Sequence, residues 1–426
     1  MQITKQQARQ FILAKQGLLG PYRFSGKDGA YAYVRQAGCI QYDPVDVCGK
    51  NAELTLQSRV RYFRKEMLQE LLYTDRKLVD YVDKELSIWP TEDWPYFATY
   101  RLRSKKTGER FEDMTALCDE AIAYIRENGP VSSDTLPLEG ELFWHSSMHW
   151  SGSHSRKSYA SRAVLEQLYT EGVLIIHHKS GSRKYYDLAE KYLDPSLLKA
   201  EDPYTDSEGR LAWRLKRRIG AVGLLWNRNS QALLGLHMKA AERNRIFETL
   251  TAAGEIVPVR IEGIRADLYY LKEDEPLMAD VLAERLNRRA RMEFLAPLDP
   301  LLWDKALIRA LWDFSYTWEI YTPQDKRKYG SYTLPILYGE RFVGRIDLSA
   351  NYRNRTLTAR GLWWEDDVKM TKALETALTN HLKQFAKFSG CDPADRRIGI
   401  AKGKWKAPAD LDQYNDEIAE LSGGTR

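Results

Sequence analysis

The sequence predicts an α+β protein in which tandem winged-helix domains precede a C-terminal antiparallel β-barrel-like region. Two segments in the middle of the chain follow the order helix, glycine, strand, tight turn, strand, as the recognition helix and wing of a winged helix do. The C-terminal third instead contains short strands separated by turns. These patterns place four domains in the chain, at residues 1–105, 106–200, 201–290 and 291–426.

The first hairpin unit is the more complete of the two. Residues 165–172 are predicted to end a basic helix that begins at residue 155, and the following hairpin turns at Gly181, between strands at 173–176 and 184–188. Upstream, apolar residues recur with helical spacing over residues 111–128, before a Gly-Pro break. The order of elements is that of a winged helix, and an ordinary α+β packing unit is the alternative.

The second hairpin unit repeats the pattern with less upstream support. It follows a helix ending at residues 247–254, and its strands at 255–259 and 267–271 flank a turn at Gly263. Residues 1–105 have a mainly helical pattern, which predicts a first winged-helix-like domain with helices at residues 6–16 and 64–73.

The C-terminal third has the pattern of an antiparallel meander that curls into a small barrel. A helix and a frayed end are expected after it. The predicted strands cover residues 331–337, 341–348 and 356–362, with turns at 339–340 and 351–354, the helix covers 368–388, and the frayed end covers 422–426.

The composition is compatible with an intracellular protein that binds nucleic acid. The net charge of +5 arises from 64 basic and 59 acidic residues, an excess that permits nucleic-acid binding without requiring it. The N-terminal residues lack the apolar stretch of a signal peptide, and no segment is apolar for long enough to span a bilayer. We therefore expect a soluble, bacterial-type cytoplasmic protein. The spacing of its thiols predicts neither disulfides nor a metal site for Cys39, Cys48, Cys118 and Cys391.

A carboxamide and a carboxylate stand two residues apart in the segment Gln41-Tyr42-Asp43-Pro44. Pro44 disfavours helical backbone at Asp43, so the segment is predicted to be extended, with Gln41 and Asp43 on one side. Such a pair is suited to hold a water molecule, since Asp43 accepts its proton or stabilises a nearby cation while Gln41 orients it. The alternative is an Asx-type turn at Asp43, with Gln41 as a solvated loop residue.

Basic and aromatic residues cluster where such a fold would meet double-stranded DNA. A basic hairpin fits a groove or follows a phosphate strand, although a solvated turn is the alternative for the wing. Adjacent His177 and His178 point to opposite sides of a strand, so they predict no metal site. The predicted DNA-contacting residues are Lys50, Asn51, Arg59, Lys179, Arg183, Lys184, Lys326, Arg327, Lys328 and Tyr329.

The Gln41 segment belongs to a longer series of motifs. Residues 45–51 and 54–60 follow it, and a second series covers residues 294–304, 316–321, 326–330 and 344–345. In order and spacing, these motifs resemble the YcaQ and AlkZ family of winged-helix DNA glycosylases over about residues 1–365. The resemblance implies that Gln41 and Asp43 match the family's catalytic Gln-x-Gln or Gln-x-Asp motif, in the Asp version of the YcaQ branch.

The chemistry of these two side chains restricts the base that can leave. A neutral nucleobase needs a general acid, whereas a 7-alkylguanine already carries positive charge. Asp43 would stabilise the oxocarbenium-like sugar and deprotonate a water that Gln41 positions. No lysine lies within the motif, which favours a monofunctional glycosylase without a cofactor over one that forms a Schiff base, although Lys50 and Lys84 are near in sequence.

The resemblance also implies a substrate class and one difference from the family. Such enzymes act on bulky alkylated purines and unhook nitrogen-mustard-type interstrand crosslinks. Part of the family carries a His near the position of Lys84, a difference that bears on the substrate range of this chain. The alternative function is a non-catalytic winged-helix regulator, a class that usually dimerises on paired half-sites. Several wing-like units in one chain favour a monomeric enzyme.

Overall fold

The fold is a mixture of helices and mainly antiparallel strands. A computed structural model describes residues 1–111, 113–144 and 156–392 of the chain. Within these residues, no helix combines the length and the apolar character needed to cross a lipid bilayer.

The helices cover much of the N-terminal and central parts of the chain. In chain order they are α1 (Lys5–Lys15), α2 (Gly26–Ala37), α3 (Asn51–Gln57), α4 (Lys65–Gln69), α5 (Ala98–Gly108), α6 (Met114–Asn128), α7 (Ala160–Thr170), α8 (Pro195–Lys199), α9 (Ser207–Val222), α10 (Ala240–Ala252), α11 (Glu275–Leu282), α12 (Lys305–Trp312) and α13 (Lys372–Phe388).

The strands are short except near the C-terminal end. They are β1 (Gln2–Ile3), β2 (Phe24–Ser25), β3 (Ile40–Gln41), β4 (Val60–Arg61), β5 (Leu78–Asp83), β6 (Glu85–Pro90), β7 (Glu141–Trp144), β8 (Arg156–Tyr159), β9 (Leu174–Ser180), β10 (Arg183–Leu188), β11 (Leu225–Trp226), β12 (Ile256–Ile261), β13 (Leu268–Leu271), β14 (Met292–Phe294), β15 (Thr333–Tyr338), β16 (Arg341–Asn351) and β17 (Thr356–Trp364).

The chain divides into two compact units, Met1–Leu68 with Leu211–Arg426, and Gln69–Arg210. The first unit, here called the split unit, joins the two ends of the described chain. Its β1 pairs in parallel with β12, and α1 packs against α11 and α12. This division is coarser than the four domains predicted from the sequence, whose boundaries stay a prediction.

The second unit, here called the central unit, contains the more complete hairpin segment. α7 packs against α6 and leads into the antiparallel pair β9–β10, whose turn places Gly181 at φ +61°. Val131, just after α6, forms an isolated bridge with Tyr186 of β10. The predicted order of helix, helix and hairpin is therefore present.

The basic helix predicted at residues 155–169 is partly wrong. Residue 155 lies outside the described residues, and β8 at Arg156–Tyr159 pairs with β7 before α7 begins at Ala160. Strand β8 includes Ser158 and Tyr159. The apolar spacing that predicts a helix is weak at these residues, so the sequence did not show where the helix begins.

The second hairpin segment lies in the split unit and matches its prediction closely. β12 and β13 form an antiparallel pair, β11 adds to β13, and Gly263 adopts φ +74° in the turn. Glycine suits both hairpin turns, because side chains with a Cβ rarely adopt positive φ.

The C-terminal sheet has the order β14-β15-β16-β17, with antiparallel neighbours throughout. The three strands predicted there are present, but the described strands form an open sheet, so the expected barrel is wrong for this part of the chain. Helix α13 and residues 47–54 share an apolar core with the sheet. Since a helix covers its apolar face, the sheet has no need to close on itself. The predicted end at residues 422–426 lies outside the described residues.

Candidate active site

Gln41 and Asp43 are both buried in the split unit. Gln41 ends β3 and is 6% exposed, whereas Asp43 lies in the following extended segment and is 3% exposed. The Asp43 Oδ1 atom accepts a hydrogen bond of 2.9 Å from the Val45 backbone N–H. The Asx-type turn considered as an alternative is therefore present, but Gln41 is not a solvated loop residue.

Asn51, the first residue of α3, holds the Gln41 backbone in place. Its Nδ2 atom donates to the Gln41 carbonyl at 2.8 Å, and its Oδ1 atom accepts from the Leu298 N–H at 2.8 Å. The side chain is 1% exposed, so the predicted direct contact of Asn51 with DNA is wrong for this structure. Asn51 instead joins the Gln-x-Asp segment to the downstream motif at residues 294–304.

The segment after Asp43 is anchored at three successive carbonyls. Those of Val47, Cys48 and Gly49 accept hydrogen bonds from Ala350 N, Ser389 Oγ and Tyr332 Oη at 2.8, 3.0 and 3.2 Å. A Cβ on Gly49 would lie 3.1 Å from Leu54 and 3.2 Å from Phe388, and Gly49 has φ +140°. The segment is thus fixed against β16, against the residue that precedes β15 and against the residue that follows α13.

Burial changes the acidity of Asp43. It raises the pKa of the carboxyl from 3.8 to about 6, while the hydrogen bond from the Val45 N–H opposes this rise. Near neutral pH the carboxyl is still mainly ionised, but it is more basic than an exposed aspartate. A carboxylate with these properties is suited to take a proton from water and to stabilise a positive charge that develops beside it.

Arg59 is a structural residue and not a surface cation. Its Nη1 and Nη2 atoms donate to the Asp299 carboxylate at 2.7 and 2.6 Å, and Nη2 also donates to Gln16 Oε1 at 2.8 Å. Arg59 and Asp299 are both 0% exposed. The predicted DNA contact of Arg59 is therefore wrong, because no phosphate can reach a buried guanidinium that is already paired with a carboxylate.

The basic loop at residues 326–329 is in the same unit as Asp43. Lys326 and Lys328 are exposed, as a DNA contact requires. Arg327 turns back on its own loop, where its Nε atom donates to the Thr322 carbonyl at 2.8 Å. Tyr329 packs beneath the Arg345 guanidinium, with 4.2 Å between the Arg345 Cζ atom and the ring centroid. Two of the four predicted contacts thus face solvent, and two support the loop.

The predicted wing residues lie in the central unit and differ in exposure. The Arg183 side chain is 53% exposed and forms an ion pair with Asp134 at 2.8 Å. The Lys179 side chain is only 5% exposed and is paired with Asp80, whose side chain is 2% exposed. Lys184 is partly exposed, with its Nζ atom 5.6 Å from the Tyr169 ring centroid. Lys179 reaches DNA only if its buried ion pair opens, so that prediction is wrong for the described conformation.

The lysines that bear on a Schiff-base mechanism have different surroundings. Lys50 is partly exposed and precedes α3, where its backbone N–H donates to Glu53 Oε2 at 3.1 Å. Lys84 lies in the central unit, in the turn between β5 and β6, and is 4% exposed.

His177 and His178 of the central unit, for which the sequence predicts no metal site, contact each other. The Nδ1 atoms of His177 and His178 lie 2.7 Å apart, and the His178 ring stacks on Tyr185 at 4.4 Å. Among residues 1–111, 113–144 and 156–392, no group of three or more His, Cys, Asp or Glu side chains is arranged to hold a metal ion.

The sequence predicted no role for two aromatic residues of the split unit, Tyr321 and Trp318. Tyr321 is 75% exposed and packs against Trp318, with ring centroids 5.7 Å apart. The negative charge of Asp43 contributes to a raised Tyr321 pKa, after a larger contribution from burial. The cluster of aromatic residues at 316–321 was a signal in the sequence, but it did not show which ring is exposed.

Comparison with known proteins identifies relatives of this chain. The family described as DNA glycosylase AlkZ-like matches residues 34–388. Among solved structures, the Streptomyces sahachiroi DNA glycosylase AlkZ is similar in fold, with a TM-score of 0.60 over 92% of this chain and 98% of that chain. The two sequences are 14% identical, so this structural similarity bears on the fold alone.

Proposed function

The chain belongs to the AlkZ-like family of DNA glycosylases, and from this membership we propose that it releases cationic alkylated purines of the 7-alkylguanine type. Family membership makes the chain an enzyme that acts on DNA, and this replaces the alternative of a non-catalytic regulator. In the proposed reaction, water replaces the base at the sugar and leaves an abasic site.

The observation that carries this proposal is the buried carboxylate of Asp43 beside a fixed Gln41. Bond cleavage builds positive charge on the sugar, and a carboxylate in a weakly solvated site stabilises that charge more strongly than one in water. Asp43 then accepts a proton from the attacking water, and the Gln41 side chain orients that water. Asn51 supports this geometry by fixing the Gln41 backbone.

The proposed lesion class follows from the lack of an acid in this mechanism. A 7-alkylguanine leaves as a neutral base because it is already cationic, so no proton has to be delivered to it. We propose that bulky adducts and interstrand crosslinks belong to the same class. A crosslinked base cannot be fully extruded, so it requires a site that works against the duplex surface.

Each compact unit, taken by itself, carries exposed cations that we propose as DNA contacts. Lys326 and Lys328 of the split unit and Arg183 of the central unit are exposed cations that suit phosphate contacts. We propose that residues 1–105, 106–200 and 201–290 function as winged-helix domains and that the enzyme acts as a monomer. Hairpins at the ends of such units are suited to follow a groove.

The test is base release from duplex DNA with one 7-methylguanine, followed by alkaline cleavage of the abasic site. The wild-type enzyme is expected to produce a strand break at the lesion. Asp43→Asn is expected to lower the rate about a hundredfold or more with unchanged DNA affinity, since the amide neither accepts a proton nor carries charge. Wild-type rates for Asp43→Asn would rule out this role for Asp43.

Borohydride trapping separates the proposed hydrolysis from Schiff-base chemistry. A monofunctional enzyme is expected to give no covalent enzyme–DNA product when the reaction is reduced. A trapped product that disappears in Lys84→Met or in Lys50→Met would replace the proposed mechanism by an amine-dependent one.

A further inference from the structure

A series of aromatic rings leads from the Asp43 segment to the solvent. Tyr332 is 1% exposed, and its hydroxyl donates to the Gly49 carbonyl at 3.2 Å. Trp318 meets the Tyr332 ring edge to face at 6.0 Å, and Tyr321 meets the Trp318 ring at 5.7 Å. The series therefore ends in a largely exposed tyrosine that is connected through two rings to the segment carrying Asp43.

The loop that carries Tyr321 is held firmly. The Glu319 carboxylate accepts hydrogen bonds of 2.9 to 3.1 Å from the backbone N–H groups of Lys328, Tyr329 and Gly330. The Arg327 Nε atom donates to the Thr322 carbonyl at 2.8 Å. These hydrogen bonds fix the backbone on both sides of Tyr321, so the loop holds the ring in contact with solvent. Because the loop is already ordered, less conformational entropy is lost when a ligand binds to it.

The Tyr321 ring is exposed on a loop that hydrogen bonds hold in place, so its face is available to a ligand. Burying a tyrosine ring stabilises a protein, and large exposed aromatic side chains are enriched at binding surfaces. Nucleobases stack on aromatic side chains, and a cationic partner gains further from the negative face of the ring. The charge of Asp43 also contributes to the raised pKa of Tyr321, after partial burial of its side chain, so the phenol and the Asp43 carboxylate interact electrostatically.

We infer that Tyr321 stacks on the alkylated purine and favours a cationic base over a neutral one. This inference rests on the proposed function, because it names the residue that contacts the leaving base in that reaction. Tyr321 then contributes to selectivity, while Asp43 stabilises the sugar and accepts the proton of the water. The alternative is that the Tyr321 hydroxyl positions Asp43 and that the ring does not contact the base.

A series of substitutions separates these two roles. Tyr321→Ala is expected to lower kcat/KM on 7-methylguanine duplexes about ten- to a hundredfold, the effect typical of one lost stacking contact. Tyr321→Phe retains the ring and is expected to stay close to wild type, whereas Tyr321→Leu resembles Tyr321→Ala. If the Phe variant loses as much activity as the Ala variant, the hydroxyl is the important group and stacking is overturned.

A second measurement uses binding alone. Duplexes with a 2′-fluorinated 7-methylguanine resist hydrolysis, and wild type is expected to bind them more tightly than unmodified duplexes. Tyr321→Ala is expected to lose most of this preference, and equal preference in both proteins would overturn the inference. Because the measurement needs no catalysis, a wild type that binds with this preference but releases no base would contradict the proposed function and leave the stacking role supported.

The matched control is Tyr62→Ala, which removes another exposed tyrosine of the split unit. Tyr62 is 68% exposed and lies outside the aromatic series. The control is expected to keep the preference for the cationic base. An equal loss in both variants would assign the effect to exposed tyrosines in general and overturn the specific role of Tyr321.

Discussion

At the residue scale, the buried charge of Asp43 determines how activity depends on pH. The proposed mechanism needs the carboxylate form, and burial raises the pKa of Asp43 to about 6. The single-turnover rate of 7-methylguanine release is therefore expected to be constant in mild alkali and to fall about tenfold for each pH unit well below this pKa. A rate that stays constant to about pH 4, the usual range of an exposed aspartate, would contradict this role.

The same pKa predicts a stability cost of the catalytic group. Below pH 3.8 the Asp43 carboxyl is protonated in both the folded and the unfolded protein. Between pH 3.8 and about 6 the carboxyl has lost its proton in the unfolded chain but keeps it in the folded protein, so folding stability falls as pH rises. Above that range the cost is constant, on the order of 3 kcal/mol. Asp43→Asn is thus expected to raise the melting temperature at pH about 8 but not at pH about 3. Denaturation scans at both pH values measure this, and equal effects would disprove it.

A substitution at Asn51 tests how far the position of Gln41 affects the rate, because Asn51 holds the Gln41 backbone and does not itself react. Asn51→Asp keeps the acceptor for the Leu298 N–H, but it loses the donor to the Gln41 carbonyl and adds negative charge. The rate of base release is expected to fall about tenfold, and the midpoint of the pH profile is expected to move upwards, because a nearby anion raises the pKa of Asp43. An unchanged midpoint with a lower melting temperature would indicate a structural role alone.

Residue-level prediction from the sequence was accurate for local geometry and weak for distant partners. Pro44 and side-chain alternation predicted an extended segment at Gln41 and Asp43, as observed. The sequence placed Arg59 at a DNA surface because arginine is usually exposed. Its partner Asp299 is 240 residues away in sequence, and nothing local indicates that the two side chains meet.

At the element scale, the wing hairpin β9–β10 has one exposed and one buried cation to compare. Arg183→Ala is expected to weaken duplex binding and to lower the slope of log affinity against log salt by about one, the effect of one lost phosphate contact. Lys179→Ala is expected to lower the free energy of unfolding by about 3 kcal/mol or more, because the Asp80 carboxylate is then buried without its ion-pair partner.

Salt titrations of binding and denaturation curves separate these two effects. In the double variant Asp80→Asn, Lys179→Met, much of the lost stability is expected to return, since neither charge then remains buried alone. An unchanged salt slope in Arg183→Ala would remove this wing from the DNA interface.

The hairpins were predictable because their turns have strong local signals. The open form of the C-terminal sheet was not predictable, because closure into a barrel depends on packing between residues that are distant in sequence. Gly181 and Gly263 both adopt positive φ, as expected for glycines in tight turns. Strands β15, β16 and β17 were also predicted from their own residues. Whether β14 and β17 meet depends instead on what covers the sheet, and here α13 shares its core. The pattern within each strand contains no information on that choice.

At the scale of the whole molecule, the two series of motifs meet in one site. The downstream series supplies Leu298 to Asn51 and Asp299 to Arg59, while the later strands anchor residues 47–49. The order and spacing of the motifs predicted that both series belong to the pattern of one enzyme family, but not that their residues are in contact. The contacts between them arise from the folding of the split unit, in which residues 1–68 join residues 211–426. Single-sequence patterns predict elements well and such long-range contacts poorly.

The most general prediction concerns the leaving group and needs no knowledge of the family. If Asp43 and Gln41 provide charge and a positioned water but no acid, only a base that is cationic before the bond breaks is released efficiently. Duplexes with 7-methylguanine are expected to be cut, and matched duplexes with uracil are expected to stay intact. Gln41→Ala is expected to slow the reaction less than Asp43→Asn, because orienting a water contributes less than charge stabilisation. Efficient release of uracil would require a general acid elsewhere in the molecule, and the proposed division of roles between Gln41 and Asp43 would then be wrong.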